Sequence, residues 1–228
     1  QLTLLQLAGF GLGITLLLLL AVVRVDIVEA WQGSLPKDAP NHFMINVQAD
    51  EREALMTLLD QRQVPNSGLH ATTRARLTRI GERAVQPEAY TEMRARRLAA
   101  REYSLGFSAK MQADNSVQAA HCWTAEEAAL PAFSVEEGVA RSLGIRLGDT
   151  LTFDVAGQII SAPVTSIRSV SWDSFNVNFF VVGTPALARE LPLAYLSSLY
   201  LDGDSERLTL ELANRFPAVS VLDIRPIL

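Results

Sequence analysis

The longest apolar segment of the chain lies at its N-terminus. Residues 2–23 contain no charged side chain, and residues 14–23 are almost purely aliphatic. As an α-helix this segment would extend roughly 33 Å, which matches the hydrocarbon core of a bilayer, about 30 Å thick. A cleaved signal peptide has a shorter apolar stretch and a cleavage site of small residues, which Arg24 and Asp26 do not provide. We therefore predict that residues 1–25 form a retained transmembrane helix.

The segment that follows predicts a connector and then a strand–helix–strand unit. Residues 26–40 hold two prolines and a glycine, a composition typical of a rigid connector. Apolar positions alternate over residues 43–48, which predicts a strand. Asp50 and Glu53 have the spacing of a capping box, and the three leucines behind them have helical spacing. Residues 69–80 predict a second, longer strand.

The C-terminal end of the chain repeats this plan. Residues 198–202 predict a short strand, and Gly203-Asp204 predicts a turn with a helix N-cap. Leu208, Leu212 and Phe216 then recur every four residues on one helix face. A closing strand is predicted from Val219 onwards. Two such units would pack a pair of helices against one face of a sheet.

Strand signals dominate the middle of the chain. Ser134 and Glu137 have capping-box spacing and predict a helix that ends at Gly144, a suitable C-cap. Alternating apolar positions over residues 150–155 and 158–167 predict a β-hairpin. Residues 177–182 predict a buried strand.

Charge and composition limit the classes of partner. The chain is 49% hydrophobic with a net charge of −5 and an isoelectric point near 5.3, which argues against nucleic acid as a partner. Eight arginines lie between Arg74 and Arg101 against three glutamates. Such a cluster could bind lipid head groups or nucleic acid, but no aromatic platform is interleaved with it. A solvated, salt-bridged face is the favoured interpretation.

No pattern in the sequence indicates catalysis. The three histidines have no metal-ligand spacing, and neither a nucleophile elbow nor a phosphate-binding loop is present. His121 precedes Cys122, but adjacent side chains point apart in a regular helix or strand and cannot act as a pair there. We therefore expect no catalytic residue, no cofactor and no metal.

Three stretches resemble the FtsX-like permeases of the MacB/LolE type, the membrane subunits of a class of bacterial ABC transporters. Residues 26–51 resemble the stretch after a transmembrane helix in that family. Residues 133–158 resemble its segment in which a helix is followed by LGDTL and a strand. Residues 169–185, with the run SVSWDSFNVNFFVVGTP, are closest to the family's YbbP branch. Residues 81–123 carry no such motif.

The resemblance implies an α+β fold with a transmembrane helix followed by a two-lobed periplasmic domain. A porter-like α/β lobe would comprise residues 41–83 and 193–228, and an inserted β-rich lobe residues 84–192. The chain would belong to a bacterial inner-membrane permease whose second span lies beyond Leu228. The implied partners are a separate cytoplasmic ATPase subunit, a second permease copy, a lipid or other hydrophobic cargo, and a periplasmic accessory protein.

The function implied by this resemblance is mechanical. ATP hydrolysis by the separate subunit would drive export or extraction of the cargo, and the chain would have no active site of its own. Trp172 and Phe175 flank a polar pair and are candidates for a surface that contacts cargo or a partner, whereas core packing is the favoured interpretation for Phe179 and Phe180 in the predicted strand. A membrane-anchored extracytoplasmic enzyme and a single-span scaffold protein remain open as alternative functions.

Overall fold

The computed structural model describes residues 6, 9–23, 39–112, 114–174, 176–202 and 205–224. Residues 1–39 and 40–228 form two separate compact units. In the first unit, residues 9–23 are helical (α1). Among the described residues, no helix combines the length and the apolar character needed to cross a membrane. The rest of the predicted span and most of the connector lie outside the described residues.

The second unit has the mixed α and β composition that the sequence predicts. Its helices are α2 (Arg52–Gln61), α3 (Met93–Ala100), α4 (Ala125–Ala128), α5 (Glu137–Leu143) and α6 (Ser205–Arg215). Its strands are β1 (His42–Val47), β2 (His70–Ile80), β3 (Arg83–Ala84), β4 (Glu102–Phe107), β5 (Asn115–Ala119), β6 (Phe133–Glu136), β7 (Thr150–Val155), β8 (Gln158–Val170), β9 (Val181–Gly183), β10 (Ala194–Leu199) and β11 (Ser220–Asp223).

The two ends of this unit meet in one part of the sheet. Strand β1 lies between β11 and β10, and β10 pairs with the start of β2, all antiparallel. The leucines of α2 predicted to face the core are buried, as are Leu212 and Phe216 on and just after α6. These side chains form one hydrophobic cluster with Met44 and Leu199 of the strands. Burial of a leucine side chain stabilises a fold by about 1.5–3 kcal/mol, so this cluster holds the helices on the sheet.

Six strands close into a ring in the rest of the unit. Strand β2 pairs with β4, β4 with β9, β9 with β6, β6 with β8, β8 with β7, and β7 again with β2. The ring encloses a second hydrophobic cluster. At its centre the ring of Phe153 meets those of Phe133 and Tyr103 edge to face, with centroids 5.3 and 6.1 Å away. Closure removes exposed strand edges from this part of the sheet.

Strand β2 belongs to both parts of the sheet. Its first residues pair with β10, and its later residues pair with β7 along the same edge. One strand of 11 residues therefore connects the two hydrophobic clusters. The division into lobes at residues 83 and 193 stays a prediction.

Two predicted helix N-caps are wrong, because a different acidic residue lies at the N-terminus of each helix. Helix α2 begins after Glu51, whose side chain accepts a hydrogen bond from the backbone N–H of Gln48. Ser134 lies within β6, and Glu136 caps α5 by accepting from the N–H groups of Gly138 and Val139. The predicted strand over residues 177–182 is shorter and reduces to β9. Gly144 ends α5 in the left-handed region at φ 70°, as predicted.

Candidate functional site

The loop between β8 and β9 carries the predicted surface residues. Trp172 is 47% exposed and packs its ring against Phe180, with centroids 4.8 Å apart. The guanidinium of Arg101 lies over the other aromatic ring of this pair, 4.9 Å from the centroid of Phe180. Phe175 lies outside the described residues. Of the two predicted surface residues, Trp172 is therefore placed on the surface in an aromatic–cation stack.

Asp114 anchors this loop. One carboxylate oxygen of Asp114 accepts hydrogen bonds from the side chains of Ser174, Asn176 and Asn178, the last at 2.7 Å. The backbone N–H of Ser171 donates to the carbonyl oxygen of Asp114 at 3.1 Å. Hydrogen bonds to an ionised carboxylate are worth about 1.5–3 kcal/mol each. These bonds hold the loop against the residues that precede β5.

A cavity opens between this loop, β5, β6 and β8. Its enclosed space is small, about 40 Å³. Apolar side chains line much of it, among them Phe107, Val117 and Phe179, and the polar lining includes Asn115 and Arg168.

Arg168 is the charged group buried in this cavity, with 3% of its surface exposed. One terminal nitrogen of its guanidinium donates to the carbonyl oxygen of Phe179, whereas the other, Nη1, has no hydrogen-bond partner. Burial lowers the pKa of Arg168 to about 10, and the nearby carboxylates of Glu136 and Asp114 oppose that shift. Arg168 remains a cation at neutral pH.

A register shift brings Arg168 to this side of the sheet. The pairing of β6 with β8 shifts between Phe133 and Ser134, so that Ser134 lies opposite Ser166 and Glu136 opposite Arg168. The hydroxyl of Ser166 donates to that of Ser134 at 2.7 Å, and both line the cavity. Sequence reasoning passed over Arg168 and Asp114. The available signal was an arginine among the alternating apolar positions of β8.

His70 and His121 form separate hydrogen bonds, and Cys122 is exposed. Among the described residues, no three histidine, cysteine or acidic side chains are grouped to hold a metal ion. His70 bonds Ser67 and Gln112, and its burial lowers its pKa. His121 pairs with Glu127 at 2.8 Å, and Cys122 is exposed at the cavity.

The arginine cluster is exposed but only weakly paired. Arg76 lies 3.9 Å from Glu102, and this is the ion pair that the described residues form within the cluster. Two others pack over aromatic rings instead: Arg83 over Tyr90, and Arg101 over Phe180. The face is solvated, as expected, but its salt bridges are few.

Comparison with known proteins places this chain beside a segment of an ABC transporter permease. The relative is the uncharacterised ABC transporter permease YbbP of Escherichia coli K12, which is 34% identical over 226 residues. The alignment covers 99% of this chain and 27% of YbbP, so the chain spans about a quarter of the relative's length. The resemblance to an FtsX-like permease that the sequence motifs indicated is confirmed.

The other comparisons add little. No protein-family profile matches the chain. A crystallised domain from Porphyromonas gingivalis, which its description assigns provisionally to a permease protein, aligns with a TM-score of 0.40 at 10% identity. That alignment covers 81% of this chain and 89% of the domain. A similarity of this size is too small to identify the fold.

Proposed function

We propose that the chain is the periplasmic part of an ABC transporter permease in the bacterial inner membrane, together with the membrane helix that precedes it. The alignment to YbbP over nearly the whole chain is the observation that carries this proposal. The uncharged segment of residues 2–23 is the proposed anchor.

The sheet supports a mechanical role. In this proposal residues 41–83 and 193–228 form a porter-like lobe, and residues 84–192 form an inserted β-rich lobe. The two hydrophobic clusters follow this division closely, apart from the later part of β2, which packs in the cluster of the β-rich lobe. Because β2 is shared, a displacement of one lobe is transmitted to the other as a rigid-body movement. ATP hydrolysis by a separate cytoplasmic ATPase subunit would supply the displacement through the membrane helices of a permease dimer.

The proposed cargo is a lipid or another hydrophobic molecule. Trp172 supports this proposal, since it exposes an aromatic ring on a loop that hydrogen bonds hold in place. Together with Phe175 it would contact cargo or a periplasmic accessory protein. The chain itself would carry no catalytic residue and would bind no nucleic acid.

The test uses the full-length permease, reconstituted with its ATPase in proteoliposomes. A cysteine pair that crosslinks the periplasmic part to its counterpart in the second permease copy, placed at exposed positions, should lower ATP-driven release of a fluorescent lipid at least about tenfold, with recovery on reduction. A pair that crosslinks the two lobes of one copy is the matched control and should leave release unchanged, because the lobes are proposed to move together. Release at the wild-type rate with the two copies crosslinked would contradict a mechanical role, and turnover of a substrate by the isolated chain would favour the enzyme alternative.

A further inference from the structure

Helix α3 has one buried side and one exposed side. Because a helix has about 3.6 residues per turn, positions three and four apart lie on the same side of it. Three apolar side chains share the buried side and pack in the hydrophobic cluster inside the ring of strands: Ala95, Leu98 and Ala99. Met93, Arg96 and Arg97 lie on the other side and are exposed. A short helix therefore presents two arginines and a methionine to solvent.

This exposed side continues to the loop between β8 and β9. Arg101 follows α3, and its guanidinium lies over the ring of Phe180, which in turn contacts the ring of Trp172. Met93 at the start of α3 is 61% exposed, and Trp172 beyond its end is 47% exposed. An exposed apolar side chain thus lies on each side of the arginines. The α3 surface is defined here by five residues: Met93, Arg96, Arg97, Arg101 and Trp172.

The positive charge of the α3 surface is not neutralised by neighbouring carboxylates. Residues 92–102 include four arginines and two glutamates. Of these glutamates, Glu102 lies 3.9 Å from Arg76 of β2 and pairs with it. The ion pairs formed by the described residues include none of the three arginines of the α3 surface. Since the whole chain carries a net charge of −5, this is a local concentration of positive charge that an anionic partner would complement.

An anionic bilayer surface suits both the charged and the apolar residues of this surface. Arginines close to such a surface are attracted by its lipid phosphates, and tryptophan and other apolar side chains enter the layer between head groups and hydrocarbon. A soluble polyanion would neutralise the arginines but leave Met93 and Trp172 in water. Nucleic acid is further disfavoured by the negative charge of the rest of the chain.

We propose that the α3 surface docks on the anionic lipid surface of a bilayer, with its arginines at the lipid phosphates and Met93 and Trp172 in the interfacial layer. The proposal rests on the membrane location given in the proposed function and adds a membrane contact outside the predicted anchor. Docking requires no ATPase, no cargo and no second permease copy. Docking and transport can therefore fail independently of each other.

Binding of added vesicles tests the proposal. The full 228-residue chain is held in nanodiscs of zwitterionic phosphatidylcholine and mixed with sucrose-loaded vesicles, and co-sedimentation gives a partition coefficient. Each arginine near an anionic surface contributes about fivefold to partitioning, the equivalent of about 1 kcal/mol. Vesicles of phosphatidylglycerol and phosphatidylcholine in equal parts should therefore bind at least about 25-fold more strongly than vesicles of phosphatidylcholine alone. Nanodiscs without the chain give the background.

Variants separate the charged contact from the apolar contact. Arg96→Gln combined with Arg97→Gln should lower the partition coefficient on anionic vesicles about 25-fold, fivefold for each arginine. Arg62→Gln combined with Arg215→Gln removes the same charge from exposed positions elsewhere and is the matched control, expected to stay within about threefold of the wild type. Trp172→Ala should lower the coefficient at least about threefold, because an apolar contact is lost.

Salt distinguishes these two effects. The screening length falls from about 10 Å at 0.1 M salt to about 3 Å at 1 M, so the effect of the double arginine variant should largely disappear at the higher concentration. The factor lost in Trp172→Ala should persist. Circular dichroism confirms that each variant is folded.

Three results would overturn the proposal. Equal binding to vesicles of phosphatidylcholine alone would show that the anionic surface is not recognised. Undiminished binding in the folded double arginine variant would place the contact on another surface. If polyglutamate or duplex DNA binds as tightly as the vesicles, with loss in the same arginine variant and no effect of Trp172→Ala, the partner is a soluble polyanion instead.

Discussion

Gly106 lies on β4 directly beneath the ring of Phe179, so a side chain added at this position would collide with that ring. A Cβ atom added at Gly106 would lie 2.2 Å from Cδ2 and 2.6 Å from Cε2 and Cγ of that ring. Within a strand, replacing glycine by alanine without a clash stabilises a protein by roughly 0.5–1 kcal/mol. Overpacking costs about 1–3 kcal/mol, and Phe179 is 8% exposed, so its ring has little room to move.

We therefore expect Gly106→Ala to destabilise the chain by about 1–2 kcal/mol, the clash less the gain in backbone entropy. In a Phe179→Ala background the clash is absent, so the same change should become neutral or stabilising. The measurement is the free energy of unfolding in urea, followed by circular dichroism, for both single variants and the double variant.

Ser104→Ala is the matched control, because Ser104 lies on the same face of β4 but is exposed. Its free energy of unfolding should stay within about 0.5 kcal/mol of the wild type. If Gly106→Ala is stabilising in the wild-type background, the close packing of Phe179 on β4 is refuted. The same conclusion follows if the penalty persists without the Phe179 ring.

Three further predictions rest on single polar groups. Burial lowers the pKa of His70 below its usual 6.5, so the unfolded chain takes up a proton first and stability falls as the pH drops below about 6.5. His70→Gln should remove that part of the slope between pH 7.5 and 5, and an unchanged slope would contradict the assignment. Thr184 is fully buried, and its hydroxyl donates to the carbonyl oxygen of Leu130 and accepts from the backbone N–H of Ala132. Thr184→Val should therefore lower the free energy of unfolding in urea by about 1–3 kcal/mol, and Thr184→Ser by much less. Asp114→Ala should speed amide hydrogen exchange over residues 171–180 at least about tenfold, with Asp154→Ala, which loses the turn contact to Gly157, leaving that loop unchanged.

Local patterns in the sequence predict the elements whose contacts are local. The helical spacing of Leu55 and its neighbours predicts both α2 and its buried face. The alternation over residues 150–167 predicts the hairpin of β7 and β8, which a two-residue turn closes. In both cases the stabilising contacts join residues that are close in sequence, so periodicity is sufficient to identify them.

Long-range pairing is what the sequence leaves undetermined. Parallel pairing of β4 with β9 and of β6 with β8 joins segments far apart in the chain, and no local pattern specifies it. The predicted strand at residues 177–182 illustrates the difficulty. Val177 and Phe179 alternate and are buried as a strand would require, yet the strand itself begins at Val181. The amide of Asn178 bonds Asp114 instead.

The cavity escaped sequence analysis for the same physical reason. Strict alternation along β8 would place Arg168 on the same face as Val164, inside the apolar cluster, where an unpaired cation is strongly disfavoured. The register shift with β6 changes the face: Val164 and Ile167, three residues apart, both pack in that cluster, whereas Ser166 and Arg168 line the cavity. A shift of this kind depends on the partner strand. The arginine in β8 is therefore visible in the sequence as an exception to the apolar pattern, but only the paired sheet shows that it borders a cavity.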